Sequence, residues 1–267
     1  VNAVNAQLQH APLATAAALP GALQIQGLSK QYRIEGQPLQ VLQNIDLNVN
    51  PGEFVSIIGA SGCGKSTLLR LIVGLDNDYS GEILLDGERI TDTSLERGIV
   101  FQDHRLFPWM TVEKNITLAL KNQPLAKAEK QRLVAEHIAL VGLTGFEQAY
   151  PHQLSGGMAQ RAAIARALIT QPKILLLDEP LGALDALTRV HLQGELQRIW
   201  VQQRSTMIMV THDVEEALYL GDRVIVLDSY PGRIKHEIRV DLPHPRDRAS
   251  PELKRLKDEL LNELTGH

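Results

Sequence analysis

Apolar and polar positions alternate along two early stretches, Leu23 to Ile34 and Val41 to Val49, and Glu35-Gly36-Gln37-Pro38 between them reads as a turn. That pattern predicts an antiparallel hairpin. The next apolar run, Phe54 to Ile58, shows no alternation and ends at Gly59, and beyond Lys65 the residues Leu68, Leu69, Leu71 and Ile72 fall at helical spacing. Strand, glycine-rich turn and helix therefore follow in order. Asp86-Gly87, between Glu82 to Leu85 and Arg89-Ile90, predicts a second hairpin, and Gly98 to Phe101 a further short strand. From about Leu106 to Leu168 strand signals stop, and Val112 to Leu120, Ala126 to Leu140 and Met158 to Ile169 carry helical periodicity. Short apolar runs return at Ile174 to Leu177, Met207 to Val210 and Arg223 to Leu227, separated by helical stretches around Leu187 to Trp200 and Val214 to Leu220. Such alternation is that of a parallel sheet covered by helices. The tail from Ser250 has Pro251 in a first helical turn and Leu253, Leu256, Leu260, Leu261 and Leu264 on one face. It is expected to dock on the same domain, with a partner-binding helix as the alternative.

The pattern divides the chain into an arm over residues 1–21 expected to be disordered, a main domain over 22–241 with a helical part at about 105–169, and a C-terminal extension over 242–267 carrying the amphipathic helix. Composition changes this picture little. A net charge of −4 gives no basic footprint for nucleic acid, which is not expected as a partner. No apolar run approaches the roughly 18 to 20 residues of a membrane span, so a membrane role is expected to be peripheral. The opening stretch lacks the charged start and apolar centre of a signal peptide. The single cysteine, Cys63, allows neither an internal disulfide nor a multi-thiolate metal site.

Gly59-Ala60-Ser61-Gly62-Cys63-Gly64-Lys65-Ser66-Thr67 satisfies the phosphate-loop pattern, and it lies between a strand and a helix as that pattern requires. Glycines let successive N–H groups and the helix N-terminus converge on phosphate oxygens. Lys65 adds positive charge for the terminal phosphates of ATP, and the Ser66 hydroxyl is placed to ligate Mg2+. Cys63 is a small filler residue in this loop, and a thiol reagent there is expected to block ATP binding.

Ile174 to Leu177 runs into Asp178-Glu179-Pro180, which puts two carboxylates at the carboxyl end of a buried strand, where open parallel sheets hold ligands. Asp178 is expected to hold Mg2+ and Glu179 to act on the attacking water as general base. Leu154-Ser155-Gly156-Gly157-Met158-Ala159-Gln160-Arg161 opens another helix with a second array of N–H donors. In this order the three elements make the chain resemble ATP-binding cassette (ABC) transporter ATPases over about Leu23 to Val240.

The resemblance implies an α/β fold with a P-loop NTPase (RecA-like) core, an antiparallel β subdomain and a helical subdomain. It makes Leu154 to Arg161 the signature segment, with Ser155, Gly156 and Gly157 acting in trans on ATP held by a second copy, in a head-to-tail dimer. Gln102 corresponds to a glutamine serving Mg2+ and the attacking water, Asp185 of Gly182-Ala183-Leu184-Asp185 to a link between the two sites, and His212 to the γ-phosphate-sensing histidine. Tyr32 corresponds to the aromatic residue that stacks on adenine. Phe107 and Trp109 follow Gln102 where the helical subdomain grips a permease; filling that subdomain's own core is the alternative. The segments Phe101 to Trp109, Leu181 to Arg189 and Tyr230 to Ile234 are similar to those of bacterial importers of nitrate, aliphatic sulfonates, taurine or bicarbonate. The implied setting is the cytoplasmic face of the bacterial inner membrane, beneath permease subunits served by a periplasmic solute-binding protein. A soluble cassette ATPase clamping ribosomes or DNA is the alternative, although this chain has one cassette and no sustained heptads. A P-loop GTPase is excluded by the lack of an Asn-Lys-X-Asp segment.

Overall fold

The computed structural model describes residues 20–265, so most of the arm expected over 1–21 lies outside the described residues. Two sheets organise the chain. The first is antiparallel, in the order β2-β1-β4-β5, from β1 (Leu23–Ile34), β2 (Gln37–Val49), β4 (Ser80–Leu85) and β5 (Glu88–Arg89). Its first hairpin closes over two residues, Glu35 at φ 50° and Gly36 at φ 81°, the left-handed pair that matches strand twist. The turn expected over Glu35 to Pro38 is therefore shorter, and β2 begins at Gln37, four residues ahead of Val41. Pro38 is accommodated because β2 is an edge strand.

The second sheet has the order β10-β9-β3-β8-β7-β6, built from β3 (Phe54–Gly59), β6 (Arg97–Val100), β7 (Ile174–Asp178), β8 (Thr206–Thr211), β9 (Arg223–Leu227) and β10 (Ile234–Arg239). Five strands run parallel; β10 pairs antiparallel with β9. Every residue of β3, β8 and β9 is buried, which is why these strands read as unbroken apolar runs. One face packs on α1 (Lys65–Val73) and the antiparallel sheet through Ile57, Leu68, Ile72 and Ile45. The other packs on α2 (Val112–Thr117), α3 (Lys127–Leu140), α4 (Gly156–Leu168) and α5 (Ala186–Gln203) through Phe54, Leu175, Met207, Ile164 and Leu196. After α6 (Val214–Leu220), the last helix, α7 (Pro251–Thr265), seats Leu253, Leu256 and Leu260 beside Leu218 and Val226, as expected for a helix docked on its own domain.

Parallel pairing decides where the chemistry falls. Ile58 of β3 pairs with Thr211 of β8, Asp178 of β7 with Val210, and Val100 of β6 with Leu177. The carboxyl ends of four strands thus share one edge, and each delivers a different loop there: residues 59–67, Glu179, Gln102 and His212.

Candidate functional site

The 59–67 loop holds a buried cation under an exposed rim. Ala60, Ser61 and Gly62 are exposed, whereas Cys63, Gly64 and Lys65 are buried. The Lys65 ammonium donates to the carbonyls of Gly59 at 2.8 Å and Ala60 at 3.1 Å. No carboxylate pairs with Lys65 among the described residues, so its charge is left for an anion at the rim. Gly64 adopts φ 99° as it enters α1, and a Cβ there would come within 2.6 Å of the Leu42 side chain, so this position suits glycine alone. Cys63 is 1% exposed and its thiol is pushed up in pKa by burial. It fills space, as expected, but it is not accessible to a reagent in this conformation.

The carboxylates of β7 sit opposite. Ser66 Oγ donates to Asp178 Oδ1 at 2.7 Å, so two hard oxygen donors from α1 and β7 already meet, as a Mg2+ site requires. Glu179 Oε2 lies 3.1 Å from His212 Nδ1. A Cβ on Gly182 would approach Gln102 Nε2 at 3.4 Å and Glu179 Oε2 at 3.6 Å, so both side chains converge on that glycine. Ser66, Asp178, Glu179, Gln102 and His212 are therefore brought to one edge.

Tyr32 is anchored next to α1. Its hydroxyl donates to Asp76 Oδ2 at 3.1 Å and lies by Thr67; burial and Asp76 raise its pKa. The Lys30 ammonium lies 4.6 Å from its ring centroid.

Ser155, Gly156 and Gly157 stand apart from the 59–67 loop, although Gly156 lines one cavity with Gln102. Ser155 caps α4 by accepting the Met158 N–H at 3.2 Å, and a Cβ on Gly157 would meet Thr188 Cγ2 at 2.5 Å. Asp185 likewise caps α5, accepting from the Thr188 N–H at 3.0 Å, and its hydrogen bonds with Thr188 hold its pKa down. Among the described residues no hydrogen bond or ion pair joins 155–157 or Asp185 to the 59–67 loop of the same chain.

Further residues support the site, and of these Arg166 and Asn115 carry no signal in the sequence. Gln160 of α4 donates to the Phe101 carbonyl at 3.1 Å, and Arg166 donates to those of His104 at 3.1 Å and Arg105 at 2.9 Å, which ties the helix opened by Ser155 to the segment after Gln102. Asn115 of α2 has no exposed surface; its side chain accepts from the Phe107 N–H at 2.8 Å and donates to the carbonyls of Phe107, Met110 and Thr111 at 3.0–3.2 Å. The loop it fixes presents Trp109 at 69% exposure and Phe107 at 36%, with ring centroids 5.5 Å apart. Leu106, not the two aromatics, supplies the core contact.

Fold and site together define a P-loop ATPase with a helical insert. The family model described as ABC transporter matches residues 42–182. The aliphatic sulfonates import ATP-binding protein SsuB of Bacillus cereus is 49% identical over 240 residues, covering 90% of this chain and 94% of that one. SsuB of Bacillus subtilis is 48% identical over 235 residues, covering 88% and 91%. Among solved structures, the dimeric cassette MJ0796 superposes with a TM-score of 0.73 at 33% identity, covering 83% of this chain and all of that one. A second structure of MJ0796, dimeric in a post-hydrolysis state with ADP and Pi, gives 0.72 at 32% identity, again covering 83% and 100%.

The chain belongs to the ABC transporter family, and it is an ATP-binding, ATP-hydrolysing subunit of that family. These relatives do not favour the ribosome or DNA clamp. No helix among the described residues is long and apolar enough to cross a membrane.

Proposed function

We propose that this chain energises import of an aliphatic sulfonate, as the ATPase half of a complex whose permease is a separate chain at the cytoplasmic face of the bacterial inner membrane. The substrate class rests on the SsuB relatives and on the Phe101–Trp109, Leu181–Arg189 and Tyr230–Ile234 segments; nitrate, taurine and bicarbonate are the competitors to test beside it. A periplasmic solute-binding protein would deliver the cargo.

The observation that carries the catalytic reading is the Glu179–His212 contact beside the Ser66–Asp178 pair. N–H groups of Gly59 to Thr67 and the Lys65 ammonium bind the ATP phosphates, and Tyr32 receives the adenine ring. Ser66, Asp178 and Gln102 would hold Mg2+, which supplies charge neutralisation on the phosphates. Glu179 accepts a proton from the attacking water and Gln102 orients that water. His212 holds the Glu179 carboxylate and donates to the γ-phosphate as charge develops there. Ser155, Gly156 and Gly157 of a second copy close the site from the far side, with Asp185 joining the two sites of the head-to-tail dimer. Phe107 and Trp109 are the anchors for the permease.

Glu179→Gln tests this reading: it should bind ATP, turn over very slowly and accumulate as an ATP-bound dimer by size-exclusion chromatography. Wild-type turnover would remove Glu179 from the role. Cargo is tested by reconstituting the complex and offering alkanesulfonates, taurine, nitrate and bicarbonate in parallel; uptake of nitrate or bicarbonate without any sulfonate would overturn the assignment.

A further inference from the structure

Behind the Glu179–His212 contact lies a second polar network, drawn from α5 and from the turn that opens α6. Arg189 of α5 donates through Nη2 to the Leu184 carbonyl at 3.0 Å, the residue before Asp185. Its Nη1 lies 3.7 Å from Oδ2 of Asp213, the residue after His212. Asp213 caps α6 by accepting the Glu216 N–H at 3.1 Å, and its own N–H donates to Thr211 Oγ1 at 3.1 Å. The Thr211 hydroxyl donates in turn to Glu216 Oε2. One arginine thus touches both the loop that ends at Asp185 and the turn that carries His212.

Two members of the network are left incomplete. Arg189 Nε and Glu216 Oε1 are both shielded from solvent and have no hydrogen-bond partner. An orphaned buried donor or acceptor carries a desolvation cost that a partner would relieve. These two are complementary, a cationic donor and a carboxylate acceptor, and the Arg189 charge acts on the Glu216 carboxyl. A donor and an acceptor left over in the same network describe a second arrangement, in which Arg189 turns from Asp213 toward Glu216, directly or through one water. That turn loosens Asp213, the neighbour of His212, while Arg189 still bears on Leu184.

We propose that Arg189 and Glu216 are positioning residues that couple the Leu184–Asp185 loop to the turn carrying His212, so that a second copy engaging the first is felt at the second. The inference rests on the ATPase site proposed above. Neither side chain touches nucleotide; both act through the placement of His212.

The test uses the full chain with ATP, comparing wild type, Arg189→Lys, Glu216→Gln and the double variant, with Glu179→Gln alongside. Lysine keeps the charge and stem of Arg189 but loses its fork, and glutamine can still accept from Thr211, so both variants retain the fold's other contacts. At about pH 8 each single change is expected to lower kcat about tenfold with KM nearly unchanged and no fall in Tm, and the double variant to fall no further than the worse single. At about pH 6 the Glu216→Gln defect should shrink, because the wild-type carboxyl, with its pKa raised to about 7 chiefly by burial, is then itself protonated. The charged groups facing it are Asp213, Arg189 and His212. Multiplicative defects in the double variant, a Glu216→Gln defect equal at both pH values, or losses that track Tm would overturn the coupling. Wild-type hydrolysis by Glu179→Gln would overturn the site itself, a separate outcome.

Discussion

His212 Nδ1 faces Glu179 Oε2 at 3.1 Å, from the ends of the adjacent strands β8 and β7. The contact is held from the glutamate side by an unusual backbone. Glu179 sits at φ 45°, its N–H donating to the Val210 carbonyl at 3.0 Å and its carbonyl accepting from the Gly182 N–H at 3.1 Å. A non-glycine residue in the left-handed region costs roughly 1–3 kcal/mol and persists where its surroundings fix it.

Replacing His212 with alanine removes the donor that the proposed mechanism places where phosphate charge develops. The expected outcome is a kcat lower by about 10²-fold with ATP affinity within a few-fold of wild type, read by phosphate release and by equilibrium binding. Loss of affinity with kcat retained would mean that His212 serves binding and not the chemical step.

Glu179→Gly separates strain from chemistry. Glycine adopts φ 45° without penalty, so Tm should hold or rise by a few degrees while hydrolysis disappears. A clear fall in Tm would show that the His212 contact stabilises the fold by more than the backbone strain it accompanies.

Cys63 reports on loop opening. At 1% exposure, with burial raising its pKa, the thiol should react with a maleimide far more slowly than in denaturant, and ATP should slow it further by holding the loop closed. Rapid stoichiometric labelling of the native chain would show that residues 59–67 open readily. Exposure along the loop ends at Gly62, one residue before the cysteine, so labelling requires the loop to open.

That case shows what kind of information the residues carry. Buried strands and the loops after them were legible because a strand enclosed on both faces leaves an apolar run and a phosphate loop needs particular residues. Strand β10 was not: Ile234–Arg239 alternates Lys235, Glu237 and Arg239 with half-buried positions, and its pairing with β9 is what makes it a strand. Asn115 was silent, and so were the contacts of Arg189, for a different reason. Their partners are main-chain carbonyls and side chains whose positions exist only once the helices have packed. Proximity of Gln102 to Glu179 likewise depends on β6 lying beside β7.

Glu216 gives the chain a signed dependence on pH. Its folded pKa is raised to about 7 from the ordinary 4.5, so the folded state holds this proton more tightly than the unfolded state. The group's stabilising contribution is full below about pH 4.5, falls as pH rises toward 7, and is absent above; the loss is at most about 3 kcal/mol. Lowered carboxylates such as Asp222 act in the opposite sense at lower pH. Denaturant titrations of wild type and Glu216→Gln between about pH 5 and 8 isolate the term. The difference in stability should shift in the variant's favour as pH rises; a constant difference would remove Glu216 as the titrating group.

Asn115 decides whether the exposed aromatics form a prepared surface. Asn115→Ala strips one acceptor and its donors from three carbonyls, one of those contacts fully buried, and one N–H, which should cost about 2–4 kcal/mol and free the loop around Trp109. Trp109→Ala touches none of those bonds and, at 69% exposure, should leave Tm and the ATPase activity of the isolated chain unchanged. Both variants should weaken capture of the permease subunits, Trp109→Ala by losing an anchor and Asn115→Ala by losing its placement. Capture by the reconstituted permease in detergent, scored beside Tm, distinguishes the two routes, and unimpaired capture by Trp109→Ala would show that the permease docks elsewhere.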